Sequence, residues 1–107
     1  MANRINKHKS YLNLLQSGEN IQQKALLKTA SPEQTRILSE IVLNLLNGAI
    51  PISTKFREEL YPYKDKLRKL SDKTLTTSVL KTSWSKFPLE ILQKIIKATF
   101  SAIEEEK

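Results

Sequence analysis

The sequence has no cysteine, two glycines, four prolines and one histidine in 107 residues. Without cysteine there is no disulfide, no thiolate metal site and no cysteine nucleophile. So few glycines and prolines leave little from which to build long loops. His8 stands alone in the basic opening MANRINKHK. It has no second imidazole or partner carboxylate at metal-binding or general-base spacing, and it reads as a surface residue. Glu58 and Glu59 are adjacent, so on a helix their side chains diverge by about 100° and share no site. There is no glycine-rich phosphate loop. No enzyme, cofactor or metal is expected. No apolar run approaches the ~20 residues that span a bilayer. The YLNLL that follows the basic start is too short for a signal-peptide core. An intracellular protein without a transmembrane segment is expected.

What is present is an ordinary globular composition, 39% apolar and 27% charged, enough for one domain over residues 1–107 with a modest core. The net charge is +7, and it is unevenly placed. Residues 1–28 hold five bases and one acid, and residues 55–86 hold nine bases and four acids. The apolar-rich stretches 31–48 and 88–103 are close to neutral. A neutral packing core with basic outer pieces suits a partner that is polyanionic, nucleic acid first among them.

The organising stretch is SPEQTRILSEIVLNLLNG, residues 31–48. Ser31 can cap the first turn, Pro32 fits the first helical position, and Gln34 completes a capping box. Ile37, Leu38, Ile41, Val42, Leu45 and Leu46 recur at three- and four-residue steps and make a wide apolar stripe. Gly48 follows where a left-handed C-terminal residue is wanted. Before it, two short helices are expected, 7–16 with Tyr11, Leu12, Leu14 and Leu15 as contacts, and 19–29 with Ile21, Ala25, Leu26 and Leu27 facing inward. After it, Ala49-Ile50-Pro51-Ile52 reads as a buried crossover. A short helix capped by Ser53 or Thr54 and a helix over 62–70 follow. Asp65 stands four residues before Lys69, at helix-pair spacing. Residues 71–87, rich in Ser and Thr, suggest one or two helical turns around Val79 and Leu80, anchored by Trp84 and Phe87. From Pro88, Leu89, Leu92, Ile96, Phe100 and Ile103 line one face of a final helix. The expected fold is all-α, a bundle of five to seven helices around 31–48, with residues 1–6 and 104–107 frayed.

The leading functional surface is basic. Lys64, Lys66, Arg68, Lys69 and Lys73 lie close enough to follow a phosphate backbone, with Lys55 and Arg57 on the preceding helix. Tyr61 and Tyr63 can stack on bases, although beside Pro62 they read first as packing residues. A helix–turn–helix reader does not fit, because the connector between 31–47 and 54–60 is too long and the second helix too short. The rival surface is the apolar face of the final helix, with Ile91, Ile95, Lys97 and Phe100 as contacts for a protein partner, a second copy or a membrane. The alternative for that face is to complete the core.

ALLKTASPEQTRILSEIVLNLLNGAIPIS, followed by EELYPYKDKLRKLSDK, resembles small basic proteins encoded by Maverick/Polinton elements and the related adintoviruses. The likeness lies in the leucine-rich helix ending in Asn44-Leu45-Leu46-Asn47-Gly48, the connector Ile50-Pro51-Ile52-Ser53, and the helix from Tyr63 to Leu70. It spans about residues 24–73. The resemblance implies a virus or virus-like element and a small virion or DNA-associated protein, located in the virion or host nucleus. Some relatives end in a Gly-Gly-Phe-Leu-containing tail like that of the adenovirus core-peptide precursor. Here Lys86-Phe87-Pro88-Leu89 has no glycine pair, and an amphipathic helix follows.

Overall fold

The computed structural model describes residues 2–106, and every regular element among them is helical. The chain order is α1 (Ala2–Lys7), α2 (Lys9–Ser17), α3 (Asn20–Lys28), α4 (Pro32–Leu46), α5 (Thr54–Leu60), a 3-10 turn (Tyr61–Tyr63), α6 (Lys64–Leu70), α7 (Thr77–Ser85) and α8 (Leu89–Glu106). Only His8 separates α1 from α2, and the 3-10 turn joins α5 to α6, so the described chain makes six helical runs. The all-α bundle is as expected.

The central helix α4 has the termini its sequence specifies. Ser31 Oγ accepts from the Gln34 amide at 3.1 Å, and Gln34 Oε1 accepts from the Ser31 amide at 2.9 Å. At the other end Gly48 has φ +80°, the Ala49 amide donates to the Asn44 carbonyl at 2.9 Å and the Gly48 amide to Leu45 at 3.2 Å. These paired bonds satisfy carbonyls that the helix itself leaves free. Thr35, Ile37, Leu38, Ser39, Ile41, Val42 and Leu45 are all buried. At 100° per residue they cover an arc of about 200°. Three helices, α6, α7 and α8, pack on α4. Leu46, the last residue of the expected stripe and of the helix, is 42% exposed.

The remaining helices pair around this centre, with α2 against α8 and α3 against α7 and α2. In α2, Tyr11, Leu12 and Leu15 are buried, while Leu14 turns outward. Helix α3 is rotated from the expected orientation. Leu27 is buried and Leu26 packs against the core as expected, but Ile21 is 84% exposed, Ala25 is exposed, and Gln23 is buried in their place. The reason is polar. Helix α2 ends at Ser17–Gly18 and leaves the Leu15 carbonyl without a helical partner, and Gln23 Nε2 donates to it at 2.7 Å. Ile50 is buried in the crossover and Ile52 packs against the core, as expected. Ser53 caps α5, its Oγ accepting from the Phe56 amide at 3.1 Å.

Two termini differ from expectation. Residues 2–7 form α1, with Ile5 only 1% exposed, and its Arg4 and Lys7 pair with Glu40 and Glu33 on α4. At the other end α8 runs on to Glu106, and Met1 and Lys107 lie outside the described residues. Residues 71–87 also hold more helix than expected. Asp72 Oδ1 accepts from both the amide and the hydroxyl of Thr74, which holds its carboxyl below its ordinary pKa. Thr76 Oγ1 then accepts from the Val79 amide to cap the nine-residue α7. The Ser and Thr residues of this stretch supply caps and local bonds.

Glycine substitutions separate two kinds of constraint. Gly48→Ala meets no atom within 4 Å, so its cost is the left-handed backbone alone, about 1 kcal/mol. Gly18→Ala would place a methyl 2.6 Å from the Leu14 carbonyl oxygen and 2.8 Å from Gln22 Oε1. Urea unfolding should therefore rank Gly18→Ala as the less stable variant, and the opposite order would contradict this packing. Burial pushes the Tyr11 phenol up to about 12, with its hydroxyl donating to the Leu26 carbonyl at 3.3 Å. The folded state holds that proton more tightly than the unfolded chain, so stability is full below pH ~10 and falls as the pH rises through about 12. Tyr11→Phe should remove this part of the alkaline slope; an unchanged slope would show that Tyr11 is not its source.

Candidate nucleic-acid interface

Helix α6 owes its orientation to Leu67 and Leu70, which are 2% and 1% exposed. With those two inward, helical geometry divides the bases between opposite flanks. Lys66 and Lys69 lie toward α7, and Lys64 and Arg68 lie on the other side. Asp65 sits on the outer surface and pairs with Arg68 at 3.7 Å, rather than with Lys69 as its spacing suggested. The pair is exposed and worth well under ~1 kcal/mol. Its consequence is that the Lys69 ammonium is left without a carboxylate.

The facing wall comes from α7 and the turn after it. Trp84 and Phe87 are 1% and 4% exposed and meet edge-to-face, with centroids 5.4 Å apart. Tyr63 also packs edge-to-face against Phe87, at 5.8 Å. Lys86 lies between these two buried aromatics in sequence and is itself exposed. The two walls enclose a groove of about 180 Å³ lined by Lys66, Lys69, Leu70, Ser83, Lys86 and Phe87. A second shallow groove shares Lys69, Ser83 and Lys86 and adds Ser78, Val79 and Thr82. Among the described residues, none of the three lysines has an ion-pair partner. Thr82 and Ser83 hydroxyls donate back to the carbonyls of Ser78 and Val79. The Lys66 ammonium lies over the Tyr63 ring at 5.9 Å, and the three ammonium groups are the principal donors along these grooves.

The seven bases expected to form one surface do not share one groove. All seven are exposed. Lys66 and Lys69 come together, and Lys86, which the sequence reading missed, joins them. The available signal for Lys86 was its place next to Phe87: a base beside a buried anchor is held at the surface in a fixed position. Lys64 lies over the Tyr61 ring at 4.7 Å, on the opposite flank. Lys55 borders a groove between α5 and α8 with Lys94 and Lys97, where Lys94 is already paired with Glu59 at 2.6 Å. Lys73 borders another groove with Arg4 and Arg36. Arg57 lines none of these grooves. Tyr61 is 67% exposed, whereas Tyr63 is part of the packing against Phe87.

On the rival surface of α8, burial corrects the placement of Ile95. Ile95 is 0% exposed, and Leu92, Ile96, Thr99 and Ile103 are buried with it against α2 and α4. Ile91 and Phe100 flank this stripe and pack partly against the core, and Lys97 is the exposed member of the set. A chain of this length commits such a face to its own core. Among the described residues, no three His, Asp or Glu side chains gather as a metal site, and no helix is long and apolar enough to cross a membrane. Comparison with family models, with curated proteins and with solved structures finds no match to this chain.

The correction on α8 is directly measurable. Ile95→Ala should lower unfolding stability by about 2–5 kcal/mol through cavity formation. A variant as stable as the parent in urea would return Ile95 to the surface.

Proposed function

We propose that this protein is a non-enzymatic nucleic-acid-binding protein that holds the phosphate backbone without sequence preference, at the groove between α6 and α7. The observation that carries the reading is the convergence of Lys66, Lys69 and Lys86 on one groove, each lacking a carboxylate partner among the described residues. An ammonium is a compact charge on a flexible stem, suited to phosphate oxygens without fixed geometry. Contacts of this kind supply affinity and register, but carry no base information. Leu70 and Phe87 give the groove an apolar floor against which the lysine stems can lie.

The net charge of +7 supports the same partner by long-range attraction. Lys64 and Arg68 on the outer flank of α6, with Lys55 and Arg57 on α5, extend the positive field without lining the groove. The resemblance of residues 24–73 to small basic proteins of Maverick/Polinton elements and adintoviruses supports a viral or mobile-element setting. A part in genome packaging, in the virion or host nucleus, suits such a protein. A protein-interaction role through α8 is not favoured, because its apolar stripe is occupied by α2 and α4.

Three phosphate contacts set a definite salt dependence. On duplex DNA the log–log slope should include about −2.7 from these lysines, or roughly a 40-fold loss of affinity between 50 and 200 mM salt. Replacing Lys66, Lys69 and Lys86 together with Gln should remove that share of the slope while leaving helicity unchanged. A folded triple variant with the parent's affinity and slope would rule out this groove.

A further inference from the structure

The groove that receives Lys73 has a chemistry of its own, away from the α6–α7 groove. It encloses about 480 Å³, and Arg4, Arg36, Ser39, Glu40, Leu43 and Lys73 are among its lining residues. Three bases and one acid leave it with two excess positive charges. Arg4 is held by Glu40 at 2.8 Å. Arg36 is half-buried and its Nη2 donates to the Leu75 carbonyl at 3.0 Å, which fixes the guanidinium and leaves its other N–H groups uncommitted among the described residues. Lys73 is exposed at the edge and has no ion-pair partner among the described residues.

Ser39 is the unusual member. It is 7% exposed, and its Oγ is buried without a hydrogen-bond partner. A buried hydroxyl left unsatisfied is unfavourable. A ligand oxygen arriving in the groove would give that hydroxyl an acceptor. The fixed guanidinium beside it is the group best matched to phosphate oxygens. Leu43 supplies an apolar wall, and the volume exceeds that of an inorganic phosphate.

We infer that this groove is a binding site for a phosphate monoester, with Arg36 and Lys73 taking the dianion, Ser39 donating to one of its oxygens, and Leu43 meeting the esterified group. Glu40 neutralises Arg4 in the free protein and opposes the anion. This site does not depend on the α6–α7 groove, and none of the lysines of that groove takes part.

The test is NMR titration of labelled protein with inorganic phosphate and adenosine monophosphate. A matched pair of short single strands with 5′-phosphate or 5′-hydroxyl ends is titrated in the Lys66→Gln/Lys69→Gln/Lys86→Gln background. Adenosine monophosphate should shift the amides around Arg36, Ser39 and Lys73 and bind more tightly than inorganic phosphate. Ser39→Ala should keep the parent's stability and weaken binding about fivefold or more. Glu40→Gln should tighten binding, a gain that a purely structural role does not produce. Equal binding of the two strands identifies the free nucleotide as the source of the phosphate. Preference for the phosphorylated strand identifies the end of a nucleic acid. Absence of shifts at these amides at millimolar ligand, or equal binding by folded Ser39→Ala and Arg36→Gln, would overturn the site.

Discussion

A helix buried over about 200° of its circumference leaves its neighbours little choice of place, and α4 is such a helix. Its apolar residues contact α6, α7 and α8 in a molecule only 31 × 28 × 28 Å across. Because α4 ends in a capping box at Ser31 and a left-handed turn at Gly48, its length is fixed by its own sequence. The inward faces of α6 and α7 follow from their need to cover it. Leu67, Leu70, Leu80 and Trp84 are all buried. With those four inward, Lys66, Lys69 and Lys86 are exposed and line one groove between the two helices. The basic groove is a consequence of packing.

Charge is divided by the same arrangement. The acids Glu33, Glu40 and Glu59 pair with Lys7, Arg4 and Lys94, and so join α1 to α4 and α5 to α8. Each exposed pair contributes at most about 1 kcal/mol. They matter more for where they leave cations alone. Asp65 leans to Arg68, Asp72 is held by Thr74, and neither reaches the groove lysines. Unpaired ammonium groups lining one groove repel one another. At physiological salt that repulsion is screened beyond roughly 8 Å, and phosphate would relieve what remains.

The sequence made the parts governed by local signals readable. The capping box, Pro32, Gly48 and the three-to-four spacing of α4 and α8 are statements about neighbours in the chain, and they predicted these helices closely. Burial and contacts at a distance were harder to read. Ile21 looked like the inward residue of α3 because it is apolar, yet Gln23 is buried there to meet the orphaned Leu15 carbonyl. Ile5 looked too near the terminus to be held, but it is covered by the core. The hydroxyl-rich stretch before Trp84 suggests one or two helical turns, and its Thr76 cap extends these to the nine residues of α7. Within the candidate site, Lys66 and Lys69 were found from helical spacing. Lys86 has its groove neighbours on another helix, beyond the reach of local spacing, and Lys73, grouped with the α6 bases by spacing, borders a different groove with Arg4 and Arg36.

The most direct measurement is residue-by-residue mapping of bound nucleic acid, by titrating isotope-labelled protein with a random-sequence duplex and following every amide. The structure predicts that the largest changes cluster around Lys66, Lys69, Ser83 and Lys86, with α8 and the α5–α8 groove unaffected. Changes concentrated on Lys55, Lys94 and Lys97, or none anywhere at low salt, would contradict the placement of the interface between α6 and α7.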